Sequence, residues 1–160
     1  MRKELKLTIN GEPYELTVKP NTLLADLLSN ELRLTGVRRG CDSGSCGACT
    51  IILDGKAVKS CSTLAIQANG KEITTIEGLA HGDKLHPIQQ AFVDHFAIQC
   101  GFCTPGMIMS AKALLDAKPD PTEDEVKQAL RGNLCRCTGY VKIIEAILAA
   151  KDEMKVIPQK

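Results

Sequence analysis

The chain has 160 residues, and its 20 basic and 19 acidic side chains leave a formal net charge of +1. So small a net charge argues against a nucleic-acid partner, which would require a basic, phosphate-binding face. No apolar run is long enough to span a membrane, and the N-terminal sequence has no apolar signal core. We therefore expect a cytoplasmic protein, and in that reducing compartment its eight cysteines are better explained as metal ligands than as disulfides.

The chain begins with a pattern that predicts a β-hairpin. Apolar and polar residues alternate over 5–9 and again over 14–18. Asn10-Gly11 lies between the two runs and is a strong signal for a tight hairpin turn.

A helix and a second hairpin are predicted to follow. The apolar period lengthens to that of a helix over 23–32, with Asn21 or Thr22 as the N-cap. Beyond a cysteine-rich loop, Asp54-Gly55 predicts the second hairpin turn, and a last strand near 73–76 would close the sheet. This order is the plan of a plant-type, β-grasp ferredoxin domain over residues 1–78.

Residues 85–150 are predicted to form an all-α domain of four helices. Proline, hydroxyl or capping-box residues mark the four helix starts: His86-Pro87, Thr104-Pro105, Thr122-x-x-Glu125 and Thr138. We expect residues 79–84 to be a linker and residues 151–160 to be a polar C-terminal tail. The predicted fold class is therefore α+β, with the β-grasp domain first and the four-helix domain second.

The first four cysteines are spaced as Cys41-x4-Cys46-x2-Cys49-x11-Cys61. This is the order found in plant-type [2Fe–2S] ferredoxins. Glycines beside or between the first three allow positive φ angles, so that backbone N–H groups can point at an anionic cluster. A [2Fe–2S] cluster is predicted here in preference to zinc, because structural zinc sites favour Cys-x2-Cys pairs rather than a three-cysteine loop.

The second four cysteines form two short pairs, Cys100-x2-Cys103 and Cys135-x-Cys137. Their spacing alone is compatible with zinc as well as with an iron–sulfur cluster. Each pair precedes a predicted helix start, so two helix N-termini would face one anionic site, which favours a [2Fe–2S] cluster. A thioredoxin-like function for the first pair lacks the βαβ context that it requires.

Other sulfur and imidazole side chains have simpler explanations than ligation. Surface or helix-end positions are predicted for three histidines, His81, His86 and His95, because none stands at cluster spacing beside a cysteine. Met107 and Met109 are interpreted as core residues of a helix.

Three segments carry a family resemblance: residues 40–50 (GCDSGSCGACT), 99–106 (QCGFCTPG) and 132–140 (GNLCRCTGY). They resemble the three signatures of the small iron–sulfur subunit of the molybdenum hydroxylases. That family includes xanthine oxidase, carbon monoxide dehydrogenase and 4-hydroxybenzoyl-CoA reductase. The resemblance covers nearly the whole chain, and every predicted cluster ligand lies at a matching position.

The resemblance implies that the chain is the electron-transfer subunit of a larger oxidoreductase. A large partner subunit would carry molybdopterin and a medium partner subunit FAD, in a dimer of heterotrimers. This chain would have no catalytic residue and would relay single electrons between those two cofactors. The substrate, which would bind in another subunit, is not indicated by the sequence.

The resemblance also gives each predicted cluster a neighbour. Near the molybdopterin would lie Gln99, which would hydrogen-bond the pterin, and the cluster of Cys100, Cys103, Cys135 and Cys137, with Cys137 as the ligand next to it. Nearer FAD would lie the cluster of Cys41, Cys46, Cys49 and Cys61. Two alternatives stay open from the residues alone: a free-standing soluble two-cluster ferredoxin, and a zinc-binding interaction module.

Overall fold

A computed structural model describes residues 1–156 of the chain. Its first part is a five-stranded sheet of β1 (Lys3–Ile9), β2 (Glu12–Val18), β3 (Thr50–Leu53), β4 (Lys56–Lys59) and β5 (Glu72–Thr74). The strand order is β2-β1-β5-β3-β4, with β5 parallel to β1 and the other neighbours antiparallel. The predicted β-grasp sheet is confirmed, and its last strand, expected near 73–76, is Glu72–Thr74.

Both predicted hairpin turns are present. Asn10 and Gly11 have φ angles of 51° and 85°, and Asp54 and Gly55 have 47° and 77°. Positive φ at both central residues gives the turn a twist that matches the flanking strands, which is why Asn-Gly and Asp-Gly are favoured there. The second turn matters for the site, because it brings β4 and the residues after it back beside β3.

The predicted first helix is shorter and less regular than expected. It consists of α1 (Leu24–Asp26), which continues into a π-helical turn, Leu27–Glu31. The prediction that Asn21 or Thr22 is its N-cap is wrong, because Leu23 holds that position without a side-chain cap. The backbone supplies the missing acceptor, since the Leu24 N–H donates to the Thr63 carbonyl at 2.8 Å.

The remaining described chain is largely helical. It contains α2 (Pro87–Asp94), α3 (Thr104–Ala117), α4 (Glu123–Ala129) and α5 (Val141–Val156), as well as 3₁₀ turns at Ser60–Ser62, Ala65–Ala68 and Ile76–Gly78. The proline starts of α2 and α3 and the Thr122 capping box of α4 are confirmed. None of the helices within residues 1–156 is both long and apolar enough to cross a bilayer.

The structure departs from the prediction at both ends of α5. Thr138 does not cap this helix, because Gly139 and Tyr140 have φ angles of 63° and 70° and turn the chain before it starts at Val141. Residues 151–156, expected to be tail, extend the helix, and Lys151 and Lys155 pair with Asp120 at 3.0 Å. The rest of the expected tail, 157–160, lies outside the described residues.

Two apolar cores support the two parts of the molecule. The first lies between the sheet and α1 and is mostly aliphatic, with Leu5, Leu24 and Ile51 fully buried. The second lies among α2 to α5 and contains Phe92, Met107 and Met109. The two methionines are therefore core residues, as interpreted from the sequence. Ile52 of β3 belongs to the helical core, so the sheet packs directly against the helices.

Candidate metal centres

The first cysteine site is built on one end of the sheet. Cys41, Cys46 and Cys49 lie in the loop that leads into β3, and Cys61 lies in the 3₁₀ turn after β4. The β3–β4 hairpin returns Cys61 to Cys49, so that their thiols lie close together. Cys49 and Cys61 are buried, whereas Cys41 is exposed. The site therefore has a buried side against the core and an open side at the loop.

Backbone N–H groups point at the sulfurs of this loop. The N–H groups of Ser43 and Cys46 donate to Cys41 Sγ at 3.4 and 3.3 Å. The Ser43 side chain and these backbone donors lower the pKa of Cys41 to about 6. Gly44 has a φ of 76°, a conformation that favours glycine. The loop is thus shaped to stabilise negative charge on sulfur.

The second cysteine site joins two loops between helices. Cys100 lies between α2 and α3, Cys103 is the N-cap of α3, and Cys135 and Cys137 lie between α4 and α5. The Sγ atoms of Cys100 and Cys137 are 3.5 Å apart, and the thiols of Cys103 and Cys135 are in contact. The structure therefore brings together the two pairs that are separated by 31 residues in the sequence.

Only one helix start lies directly at this second site. Cys103 adjoins the first turn of α3, but Cys137 is four positions before Val141, where α5 begins. Thr138 acts on the site directly, since its hydroxyl and N–H donate to Cys135 Sγ at 3.1 and 3.4 Å. Burial opposes ionisation of Cys135, but these bonds lower its pKa. The site therefore has one helix N-terminus, that of α3, and the Thr138 hydroxyl and N–H take the place of the second N-terminus that the sequence predicts.

Each site contains a thiol that keeps its proton unless a metal replaces it. Burial raises the pKa of Cys61 to about 11, and burial together with Cys135 raises that of Cys103 to about 12. Metal binding requires the thiolate form, and it releases these protons. The buried thiols are consequently suited to a cation-containing group and poorly suited to remain as free nucleophiles.

The donor sets fit a two-iron cluster. A tetrahedral metal with sulfur bonds of about 2.3 Å holds two sulfurs about 3.8 Å apart, close to the separation of Cys100 and Cys137. The thiols make contact in twos, Cys49 with Cys61, Cys100 with Cys137, and Cys103 with Cys135. Within residues 1–156, no three Cys, His, Asp or Glu are grouped as a single-ion site. Two thiolates for each of two irons is the donor arrangement of [2Fe–2S](Cys)₄.

The predicted pterin-side residues lie together at the surface. Gln99 is exposed beside Cys100, and Cys100 is in contact with the exposed Cys137. Among the histidines, His86 caps α2, where its Nδ1 accepts from the Ile88 N–H at 3.2 Å. This is the helix-end position that the sequence indicated for it.

Residues that the sequence did not single out connect the two sites. The Leu134 N–H donates to the Cys46 carbonyl at 2.8 Å, so the residue before Cys135 touches a ligand of the other site. Asn133 is buried and donates from Nδ2 to the Gly47 carbonyl at 3.1 Å. Its place in the 132–140 segment, two positions before Cys135, is the one signal that the sequence offers for it.

The backbones of the two parts also meet directly. Gly106 in α3 lies against the Gly47 carbonyl, where a Cβ on Gly106 would be only 2.2 Å from that oxygen. A Cβ on Gly47 would in turn be 2.2 Å from the Gly132 carbonyl oxygen. Both glycines are thus required by close approach of two chain segments.

Two family models match the chain, and together they cover most of it. A "2Fe-2S iron-sulfur cluster binding domain" matches residues 7–76, and a "[2Fe-2S] binding domain" matches residues 75–148. The chain is similar to the nicotine 6-hydroxylase small subunit of Paenarthrobacter nicotinovorans, with 52% identity over 96% of this chain and 92% of that one. It is 50% identical to the nicotinate dehydrogenase small FeS subunit of Eubacterium barkeri, over 89% of this chain and 91% of that one.

Solved structures show the same architecture. Quinoline 2-oxidoreductase from Pseudomonas putida 86 contains a chain with a TM-score of 0.92 and 46% identity, and the match covers 97% of both chains. The aldehyde oxidoreductase from Desulfovibrio gigas matches with a TM-score of 0.93 and 44% identity, over 96% of this chain and 17% of that longer one.

Proposed function

The chain belongs to the [2Fe–2S] iron–sulfur subunits of the molybdenum hydroxylases, and from that premise we propose that it relays single electrons between molybdopterin in a large partner subunit and FAD in a medium one. The observation that carries this proposal is the pair of four-thiol sites joined through the Leu134–Cys46 hydrogen bond. One isolated site would suit a carrier of electrons, whereas two linked sites suit a relay. When bound, each [2Fe–2S] cluster supplies reversible one-electron chemistry.

The chain's own residues hold the clusters and control their surroundings. Cysteine thiolates from both loops bind the irons, and N–H and hydroxyl donors stabilise the negative charge on sulfur. Buried Cys49 and Cys61 place one side of the first site against the apolar core, away from water. These are positioning and tuning roles, and the bond chemistry belongs to cofactors in the partner subunits.

We assign the second site to the molybdopterin side and the first to the FAD side. The assignment is supported by the surface around Cys100 and Cys137, where Phe102, Ile98 and Leu134 are exposed large apolar residues. Such a surface is typical of a protein interface. Within it, Gln99 would hydrogen-bond the pterin, and Cys137 would be the ligand next to it.

Phe96 is a further exposed apolar residue, four positions before Cys100. It is 81% exposed and has a φ of 55°, so a strained backbone presents an aromatic ring to solvent. We expect Phe96→Ser to weaken association with the large subunit while both clusters stay bound. Copurification and iron content measure these separately, and Lys56→Ser, on the exposed edge of β4, is the control.

The assembly and its location are also part of the proposal. We propose two heterotrimers per complex, which the mass in solution by light scattering will test. We place the complex in the cytoplasm, because eight cysteines without disulfides suit a reducing compartment. We also propose 1–78 and 85–150 as the two domains, with 79–84 between them, where limited proteolysis should cut first.

The decisive experiment is an affinity purification in which this chain is captured together with the subunits bound to it. We expect two larger subunits to copurify, with about four irons and four acid-labile sulfides per chain and two distinct electron paramagnetic resonance (EPR) signals after reduction. Zinc in place of iron, or iron without the larger subunits, would contradict the proposal.

A further inference from the structure

One cation lies between the first cysteine site and the helical part of the molecule. Lys59 is the last residue of β4, pairs with Thr50 of β3, and stands two positions before Cys61. Its ammonium donates to Thr50 Oγ1 at 3.0 Å, to the Gly132 carbonyl at 2.8 Å and to Asn133 Oδ1 at 3.4 Å. The last two acceptors belong to the segment that leads into Cys135.

The hydrogen bonds indicate that Lys59 carries its charge. A lysine ammonium has three donors and no acceptor, and here all three donors have an acceptor. In the described part of the chain, however, no carboxylate forms an ion pair with Lys59. A partly buried cation needs compensating negative charge, and the three acceptors are neutral.

The nearest source of negative charge is the first cysteine site. Lys59 stands two positions before Cys61, and Thr50, which accepts from its ammonium, directly follows Cys49. The chain neighbours of two ligands, Cys49 and Cys61, therefore place this ammonium beside the first site. A bound [2Fe–2S](Cys)₄ cluster is anionic and gains a further negative charge when it is reduced, so the attraction to Lys59 is stronger in the reduced state.

We propose that Lys59 is the charge-compensating residue of the first cysteine site, that it makes a cluster held there easier to reduce, and that Gly132 and Asn133 hold it in place. The inference rests on the proposed function, because it requires a cluster at this site. Its consequence is that a segment of the helical part sets the redox behaviour of the sheet-bound site. The contacts with Gly132 and Asn133 thus join the two parts electrostatically as well as structurally.

The experiment is a redox titration of the whole complex, with the EPR signal of each cluster followed separately. The signal that persists in Cys137→Ala identifies the first site. Lys59→Gln removes the charge and keeps a polar side chain with an N–H donor. We expect the midpoint potential of the first cluster to become more negative and that of the second to change much less.

Two matched variants separate charge from structure. Lys59→Arg keeps the cation and should restore most of the original potential, whereas Lys56→Gln, which removes an exposed charge from the same strand, should leave it unchanged. If Lys59→Gln does not retain the first cluster, Asn133→Asp tests the same electrostatic effect. A carboxylate beside Lys59 should also make the midpoint potential of the first cluster more negative.

The possible outcomes distinguish this inference from the function on which it rests. Unchanged potentials in Lys59→Gln, an equal shift in Lys56→Gln, or no recovery with arginine would each refute the role of Lys59 while the two EPR signals persist. Absence of both signals from the unsubstituted complex would instead refute the proposed function.

Discussion

The two cysteine sites each bring four thiols together, but they do so with different architectures. The first takes three of its four ligands from nine consecutive residues, 41–49, and adds Cys61 through a tight hairpin. The second joins two loops that are 31 residues apart and held together by the packing of four helices. The first site is therefore determined mainly by local backbone conformation, and the second by tertiary structure. Substitutions should affect them in correspondingly different ways.

The largest expected effect is the selective loss of the second cluster. Cys137→Ala removes one thiolate from a site that is open to solvent, so iron should fall from about four to about two per chain. Turnover with electron acceptors that depend on FAD should stop, because the relay is interrupted. Metal analysis and EPR measure the loss. Retention of both signals would contradict the role of Cys137 as a ligand, and loss of both would show that the two sites are not independent.

A large effect is also expected at the contact between the sites. Gly47→Ala introduces a Cβ that would lie 2.2 Å from the Gly132 carbonyl, at a φ of 75°. We expect a loss of about 3 kcal/mol in stability, the upper end for one strained residue. Gly55→Ala is the matched control, since it has a φ of 77° but open space around it, and should cost about 1–2 kcal/mol.

Thermal unfolding of the purified protein measures the stability of both glycine variants. The comparison between them isolates the contribution of close approach from that of backbone conformation. Equal melting temperatures for Gly47→Ala and Gly55→Ala would show that the contact with Gly132 adds nothing to stability.

A smaller effect is expected from the cap of α4, which precedes the second site. The Glu125 N–H donates to Thr122 Oγ1 at 3.3 Å, and the Thr122 N–H donates to the Glu125 carboxylate at 2.8 Å. Thr122→Ala should therefore cost about 1 kcal/mol and loosen the segment that leads to Cys135. Hydrogen exchange should rise in α4 and leave β1 unchanged, and Thr122→Ser should behave like the original chain.

The smallest expected effect is a pH dependence confined to the helical part. Burial, with Lys112 and His81 nearby, lowers the pKa of His86 from 6.5, and Asp116 opposes this. The unfolded chain therefore binds a proton at this histidine at a higher pH than the folded chain does. The contribution of neutral His86 to stability is thus present above pH 6.5 and declines as the pH falls below it. Protonation of Nδ1 also removes the acceptor that caps α2.

Melting temperatures between pH 5 and 8, each within about 1.5 units of the ordinary histidine pKa, measure this dependence. His86→Asn keeps a capping acceptor but does not titrate, so its melting temperature should decline less toward pH 5. An identical decline in both proteins would assign the pH dependence to other groups.

The difference between the sites also explains what the sequence could predict. The hairpin turns, the proline starts of two helices and the Thr122 capping box depend on a few adjacent residues, and they were predicted correctly. The prediction that Thr138 caps α5 is wrong because its position relative to that helix depends on the left-handed turn at Gly139 and Tyr140. Lys59 and Asn133 give little signal in the sequence because the partners that connect them to the other part of the molecule lie more than 70 residues away.

The contact of Gly47 with Gly106 and Gly132 has a mechanical consequence. Tunnelling rates fall exponentially with distance, so a relay depends on spacing that does not fluctuate. Side chains at an interface can change rotamer, but here main-chain atoms meet directly, and close-packed interiors compress little. The three glycines therefore make the contact between the two parts of the molecule rigid, and the backbone itself sets the distance between the two cysteine sites.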